Sequence, residues 1–197
     1  MKSPVEQILD GRRLYLASAS PRRRELMMNL GCDVNLIEPR EVDESWPETM
    51  RPEVAPVYIS RKKAEAYCHD LTPDMIVVTA DTVVIADGKV LGKPHSADEA
   101  RDMLKMLSGK KHLVVTGVTL TTTEGLHSFA THTTVSFDNL SDEAIDYYIE
   151  NYKPFDKAGA YGIQEWIGYI GISGISGCYY NVMGLPIHDL FKHLALI

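Results

Sequence analysis

The chain lacks any apolar run approaching the ~20 residues that a membrane-spanning helix needs, so no membrane partner is expected. Met1 to Arg13 is polar and carries no apolar stretch of the secretory kind, so export is not expected either. Cysteine is scarce. Cys32, Cys68 and Cys178 are scattered, form no Cys-x-x-Cys pair and leave one necessarily unpaired. That argues against a disulfide scaffold or a structural zinc site and points to the reducing cytosol. The seven histidines never fall in a His-Glu-x-x-His spacing and read as surface or incidental side chains. Internal repeats, low-complexity tracts and Gly/Ser linkers are also missing, so a single domain over residues 1–197 is expected. An excess of positive charge is absent too. The formal net charge is −7 and the pI is near 5.5, which opposes nucleic-acid binding through counterion release. A few basic residues converging in one cleft would still hold a small polyanion.

What is present is ordinary globular usage, with hydrophobic residues at 45% and charged residues at 24%. Leu14 to Ala17 reads as a short buried strand. Ser20 is placed to cap a following helix, with Pro21 in its first turn and Gly31 at its end. Val34 to Ile37 reads as a strand, and a polar loop through Pro47 and Pro52 leads to a helix from about Val57 to Cys68. Met75 to Ala86 is a long Val/Ile-rich strand that turns at Asp87-Gly88 into Lys89 to Leu91. Ser96 with Glu99 makes a capping box, and Ala100, Met103, Leu104 and Leu107 form one helical stripe closed by Ser108-Gly109. His112 to Thr122 and Leu126 to Phe137 read as strands joined at Glu124-Gly125. Ser141 caps a helix carrying Ile145, Tyr148, Ile149 and Tyr152. Gly168 to Gly184 reads as strands and tight turns, and a last helix near Pro186 turns Ile187, Leu190, Phe191 and Leu194 inward. With at least two antiparallel pairs expected, this is α/β with a mixed sheet rather than a doubly wound parallel one.

Four groups are not explained by folding alone. Arg22, Arg23 and Arg24 follow Ser18-Ala19-Ser20-Pro21 in the first turn of a helix, where cations oppose the helix dipole. Either this is a solvated basic turn, or a bound anion makes dipole, amides and guanidiniums act together. Asp81 interrupts the apolar run Met75 to Ile85; it marks a hydrated strand end or bulge, or faces a functional cleft. On a helical wheel Lys62 lies with Arg61 and Glu65 on the polar side, whereas Lys63 falls among Ile59, Ala64, Ala66 and Tyr67. Snorkelling of Lys63 and a ligand role are equally good accounts. Gly92-Lys93-Pro94 and Asp156 to Gln164 set charges beside turn formers, and neither matches the P-loop pattern. Asp43-Glu44 adds an acidic pair in a loop.

In order along nearly the whole chain, these segments resemble the Maf family of nucleoside triphosphate pyrophosphatases. The matching residues are Ser18 through Arg23, Glu25, Asp43-Glu44, Lys63-Ala64, Ala80-Asp81-Thr82, Gly92-Lys93-Pro94, Ser108-Gly109, Thr116-Gly117-Val118, Asp156 through Gln164 and Gly184-Leu185-Pro186. The resemblance implies an inosine triphosphate pyrophosphatase-like α/β fold, two lobes around a cleft, and a homodimer. It also implies hydrolysis at the α-phosphorus, a housecleaning role and a divalent metal, Mg²⁺ or Mn²⁺. Arg22, Thr82 and Gln164 match the branch acting on dTTP and UTP, where the 7-methyl-GTP branch has other residues. Trp166 and Pro56 depart from the pattern, the latter by interrupting the entry to its helix.

On this resemblance Asp81, Lys63, Lys93 and Glu44 are the expected catalytic residues, with Glu44 and Asp81 at the metal. Ser18, Arg22, Arg23, Thr82, Asp156, Lys157 and Gln164 are the expected substrate contacts. The Gln164 amide offers one donor and one acceptor, which suits the imide edge of uracil or thymine. The alternatives are another base preference within the family, such as 7-methyl-GTP, and a non-catalytic nucleotide-binding regulator of cell division.

Overall fold

A computed structural model describes residues 1–197. In chain order the elements are α1 (Pro4–Leu9), β1 (Arg13–Ala17), α2 (Pro21–Met28), β2 (Val34–Ile37), α3 (Ala55–Glu65), β3 (Met75–Ala86), β4 (Lys89–Leu91) and α4 (Ala97–Leu107). β5 (Lys111–Thr122), β6 (Gly125–Phe137), α5 (Asp142–Tyr152), a 3-10 turn (Ala158–Ala160), α6 (Trp166–Gly171), β7 (Ile172–Ser176), α7 (Tyr179–Met183) and α8 (Ile187–Leu194) complete the chain. The seven strands form one sheet in the order β2-β1-β3-β5-β6-β7, with β4 also on β3. β1 runs parallel to β2 and β3; the pairs from β3 onward are antiparallel. The mixed sheet with flanking helices is the expected fold class.

Local chemistry accounts for most boundaries. Ser20 Oγ accepts the Arg23 amide and Pro21 opens α2, while Asp87 and Gly88 turn β3 into β4 at positive φ. The stripe on α4 is buried as expected, with Ala100, Leu104 and Leu107 wholly enclosed. Other expectations need correction. Ser96 Oγ accepts the Glu99 amide, but the Glu99 carboxylate answers the His95 amide, so the capping box is shifted by one residue. α3 starts at Ala55, and Pro56 sits in its first turn, where its missing N–H has no intrahelical partner to lose; it does not interrupt the helix. Residues 168–184 hold two short helices, the second half of α6 and α7, besides β7. α1 went unanticipated, although Ser3 and Glu6 form a reciprocal capping box with Pro4 between them. Tyr152 is more exposed than its helical spacing suggested.

Alternation along β3 decides which face each residue serves. Ile76, Val78, Ala80 and Val84 join a 34-residue apolar core with side chains from α2, α4, α5 and α8. Val77 and Thr79 face the opposite side, where Val77 packs with Tyr67 and Thr79 Oγ1 donates to the Ser60 carbonyl of α3. α3 lies close on this face because Gly117 of β5 has no side chain. A Cβ there would come within 2.3 Å of the Pro56 carbonyl carbon and the Val57 nitrogen.

One irregularity creates the site. β1 pairs with β3 only as far as Val78, and β4 pairs with β3 only from Val84. Between them the edge of β3 is bare, at the point where parallel pairing gives way to antiparallel. Crevices at such switch points are where open α/β sheets bind ligands.

Candidate active site

A cleft of about 1050 Å³ opens over this bare edge. Its wall takes in the β1–α2 turn, the loop after β2, Lys63, β3 around Asp81, Lys93, the segment from Asp156 to Gln164, and Gly184. Every residue expected to carry chemistry lies on that wall: Ser18, Arg22, Arg23, Glu44, Lys63, Asp81, Thr82, Lys93, Asp156, Lys157 and Gln164.

Asp81 and Thr82 are neighbours on a strand and therefore point to opposite faces. On the α3 face the Lys63 ammonium sits 2.8 Å from Asp81 Oδ1 and 3.0 Å from Glu44 Oε1. Lys63 is 18% exposed and Asp81 16%, whereas Glu44 is 59% exposed. Of the two accounts of Lys63, snorkelling fails: its charge is turned into the cleft and not out to bulk water. Lys62 is tied to Asp43 and the Ser45 carbonyl, so it is not merely solvated. Hydrogen bonds from the Ser45 hydroxyl and amide, then from Lys62, hold the Asp43 carboxyl down to about 2. The acidic pair is thus divided, with Asp43 fixed outside the cleft and Glu44 inside it.

On the α2 face the three arginines have different fates. Arg23 donates to the Gly184 carbonyl at 2.8 Å, the Ala80 carbonyl at 2.8 Å and Thr82 Oγ1 at 3.0 Å. One of these bonds satisfies the Ala80 carbonyl on the bare β3 edge. Loss of hydration lowers the Arg23 pKa, partly offset by the charge of Asp81. Arg24 turns back to the Ser18 carbonyl. Arg22 faces the cleft, 2.7 Å from Asp156. Burial alone would raise the Asp156 carboxyl, but hydrogen bonds from Lys157 and Arg22 outweigh it and bring it to about 2. Lys157 is only 8% exposed and bridges Asp156 at 2.8 Å and Glu165 at 3.0 Å. Lys93 is exposed at the rim and makes no ion pair. Thr82 links inward to Thr116 Oγ1 at 2.9 Å, and Thr116 donates to the Asn181 carbonyl. Ser18 is buried, its Oγ accepting the Ser20 amide.

Gln164 carries a different sort of signal. Its Oε1 is buried in the cleft wall without any hydrogen-bond partner. Buried acceptors are normally satisfied, so an oxygen left without a partner here is an exception that folding alone does not explain. The segment leading to it is unusual as well. Gly159 and Ala160 both have positive φ, a costly conformation for alanine of the sort kept at functional sites. Trp166, outside the family pattern, packs on Tyr147 with ring centroids 4.7 Å apart and stays clear of the site chemistry.

Sequence reasoning overlooked the polar chain behind Lys157. Helical spacing marks Tyr148 only as an apolar stripe residue of α5, yet its hydroxyl donates to Glu165 and accepts the Gly162 amide at 3.0 Å. A buried tyrosine needs a partner for its hydroxyl, and that requirement was the available clue.

The donor set also bears on a metal. No group of three His, Cys, Asp or Glu side chains comes together. Glu44 and Asp81 instead each give one oxygen to the Lys63 ammonium, and the second hard oxygen of each carboxylate is uncommitted on the cleft wall. That fits Mg²⁺, which is usually held by one or two carboxylates and completed by phosphate oxygens and water.

Fold and cleft together define an α/β protein whose mixed sheet opens, at its switch point, into a pocket suited to a polyanion. The Maf-like protein family model matches residues 13–197, and the chain belongs to that family. It is 53% identical over 186 residues to the dTTP/UTP pyrophosphatase of Phocaeicola vulgatus, covering 94% of this chain and 96% of that one. The dTTP/UTP pyrophosphatase of Bacteroides thetaiotaomicron is 54% identical over the same length, with the same coverage of both chains. Among solved structures, the Staphylococcus aureus Ham1 protein matches with a TM-score of 0.53 at 14% identity. It covers 93% of this chain and 98% of that one, a likeness of fold alone.

Proposed function

We propose that the protein is a dTTP/UTP pyrophosphatase that hydrolyses its substrate to the monophosphate and pyrophosphate. The observation that carries the reading is the Lys63 ammonium between Asp81 and Glu44, in one cleft with Arg22 and Lys93. The relatives bearing that enzyme name, about half identical over nearly their whole length, support the substrate class.

Hydrolysis of a phosphoric anhydride mainly requires positioning and charge stabilisation. Arg22 and Lys93 hold the phosphates, assisted by the amides at the start of α2. Arg23 acts from behind, fixing Thr82 and Gly184 at the cleft floor with the N–H groups it has already committed. Asp81 accepts the proton of the attacking water as its oxygen bonds to the α-phosphorus; the bond to the bridging oxygen breaks and pyrophosphate leaves. Lys63 orients Asp81 and Glu44. Those two carboxylates would hold Mg²⁺ or Mn²⁺, which when bound would neutralise charge on the phosphate oxygens. Gln164 lines the cleft, and its amide, turned toward the substrate, offers one acceptor and one donor to the imide edge of the base.

The reading takes residues 1–197 as one domain, supported by a single large core drawing side chains from Val5 to Leu194. Cytosolic location and homodimer assembly belong to the same proposal. No helix is long and apolar enough to cross a membrane, and sedimentation velocity reads the assembly directly. The deciding experiment offers canonical and modified nucleoside triphosphates with Mg²⁺ and follows pyrophosphate release. Preferential turnover of dTTP and UTP is expected. Preference for 7-methyl-GTP moves the chain to another branch, and binding without turnover makes it a nucleotide-binding regulator.

A further inference from the structure

We infer that Tyr148 and Glu165 are positioning residues for base recognition, forming a buckle that presents Gln164 to the substrate. The inference deepens the proposed function and rests on it. Gln164 reads a base only if its amide is held where the base arrives, and its own side chain has no partner at Oε1 to hold it there. The backbone around it must do the holding. Gly162 stands two residues before Gln164, and its amide is fixed by Tyr148 Oη at 3.0 Å. Glu165 follows Gln164 directly, and its carboxylate takes the Tyr148 hydroxyl and the Lys157 ammonium. The Glu165 amide returns to the Gly162 carbonyl at 3.0 Å, closing a tight turn with Gln164 inside it.

The buckle is packed as well as bonded. A Cβ on Gly162 would lie 2.9 Å from Glu165 Cδ and 3.1 Å from Lys157 Cε, so both side chains cross directly over this glycine. Burial, and then Glu165, push the Tyr148 phenol above its ordinary range, which keeps its proton available to the carboxylate. A carboxylate so placed must stay paired, and Tyr148 and Lys157 together meet that need. The same Lys157 reaches Asp156 at 2.8 Å, and Asp156 reaches Arg22 at 2.7 Å. One chain of contacts therefore joins the base-reading turn to an arginine at the phosphate end. Small misplacement of a positioned group is costly when the group itself makes few contacts.

The test uses full-length Tyr148→Phe and Glu165→Gln variants, with steady-state pyrophosphate release from UTP, dTTP and CTP in Mg²⁺ and a thermal melt of each. Both variants are expected to raise KM for UTP and dTTP about tenfold while kcat changes less than about threefold. The KM for CTP should barely move, so the UTP preference falls about tenfold. An unchanged UTP-to-CTP ratio in folded variants overturns the inference and leaves the enzymatic reading intact. An equal loss of kcat on all three substrates, or failure of both variants to fold, gives the pair a merely structural role and overturns it too. A wild-type chain that turns over neither UTP nor dTTP removes the functional reading and this inference together.

Discussion

The two sides of the cleft use the same residue types to opposite ends. On the α3 face, Lys63 is shared by Asp81 and Glu44, each through a single oxygen, and nothing further ties the group down. On the α2 face, charges alternate without a break through Arg22, Asp156, Lys157 and Glu165 to Tyr148, while Arg23 is bonded to three protein acceptors. The first cluster keeps free oxygens and so can exchange partners with a water, an ion or a phosphate. The second, apart from Arg22 at its open end, has its charges committed to protein partners and so keeps its shape. Adjacent residues on one strand, Asp81 and Thr82, lead to these two regimes because a strand turns successive side chains to opposite faces. On the proposed function, the difference separates groups that react from groups that hold.

The sharpest test of that division is Asp81→Asn. It should lower turnover by about 10³-fold with the melting temperature little changed, since the amide fills the same space but does not take a proton. Pyrophosphate release and a thermal melt of one preparation measure both, and full activity would remove Asp81 from the role. The reverse outcome is expected for Arg23→Ala, which strands the Ala80 and Gly184 carbonyls and Thr82. Urea unfolding should show a loss of about 3 kcal/mol, from more than one unsatisfied buried partner. Arg22→Ala should instead leave stability nearly intact and raise KM; equal behaviour of the two arginines would erase the distinction drawn between them.

Acid should loosen the saturated side first. His112 is buried, with Nε2 2.7 Å from the Tyr161 hydroxyl behind the Gln164 segment, and burial lowers its pKa to about 4. A histidine held neutral in the fold contributes fully above its unfolded value of about 6.5 and loses that contribution as pH falls towards 4. Stability should drop by about 2 kcal/mol between pH 8 and pH 5, and His112→Gln should flatten the curve in that window. Asp156, held down to about 2, keeps its partners throughout that range, so the two effects are separable. The smallest expected effect is in specificity: Gln164→Glu should reduce the UTP preference over CTP by about tenfold with little change in phosphate affinity. Unchanged relative rates would count against Gln164 as the base reader.

Much of this is legible in the sequence. Periodicity located the strands from β1 to β6, because a half-buried strand and an amphipathic helix impose different spacings on apolar residues. Lys63 and Asp81 stood out for the same reason, each a charge in a position the pattern reserves for apolar side chains. α1 was missed because a six-residue helix offers too short a pattern, although its capping box was readable. The helices within 168–184 were hidden by glycines that serve close packing. Gly168 admits the Ile163 carbonyl, 1.9 Å from where a Cβ would sit, and such a contact depends on a partner that local sequence does not name.

Composition, spacing and ordered motifs were enough to establish a mixed α/β chain, its family likeness and the residues gathered in one cleft. Those properties follow from local preferences and from residue types the fold alone does not require. Which arginine opens on the cleft and which one bonds the strand edge was decided only by the tertiary structure. So were the separation of Asp43 from Glu44 and the tie of Tyr148 to Gly162 and Glu165. Each depends on a partner far along the chain, Ala80 for Arg23, Lys62 and Lys63 for the acidic pair and Tyr148 for the Gly162 turn, and no local run of residues encodes the position of a distant partner.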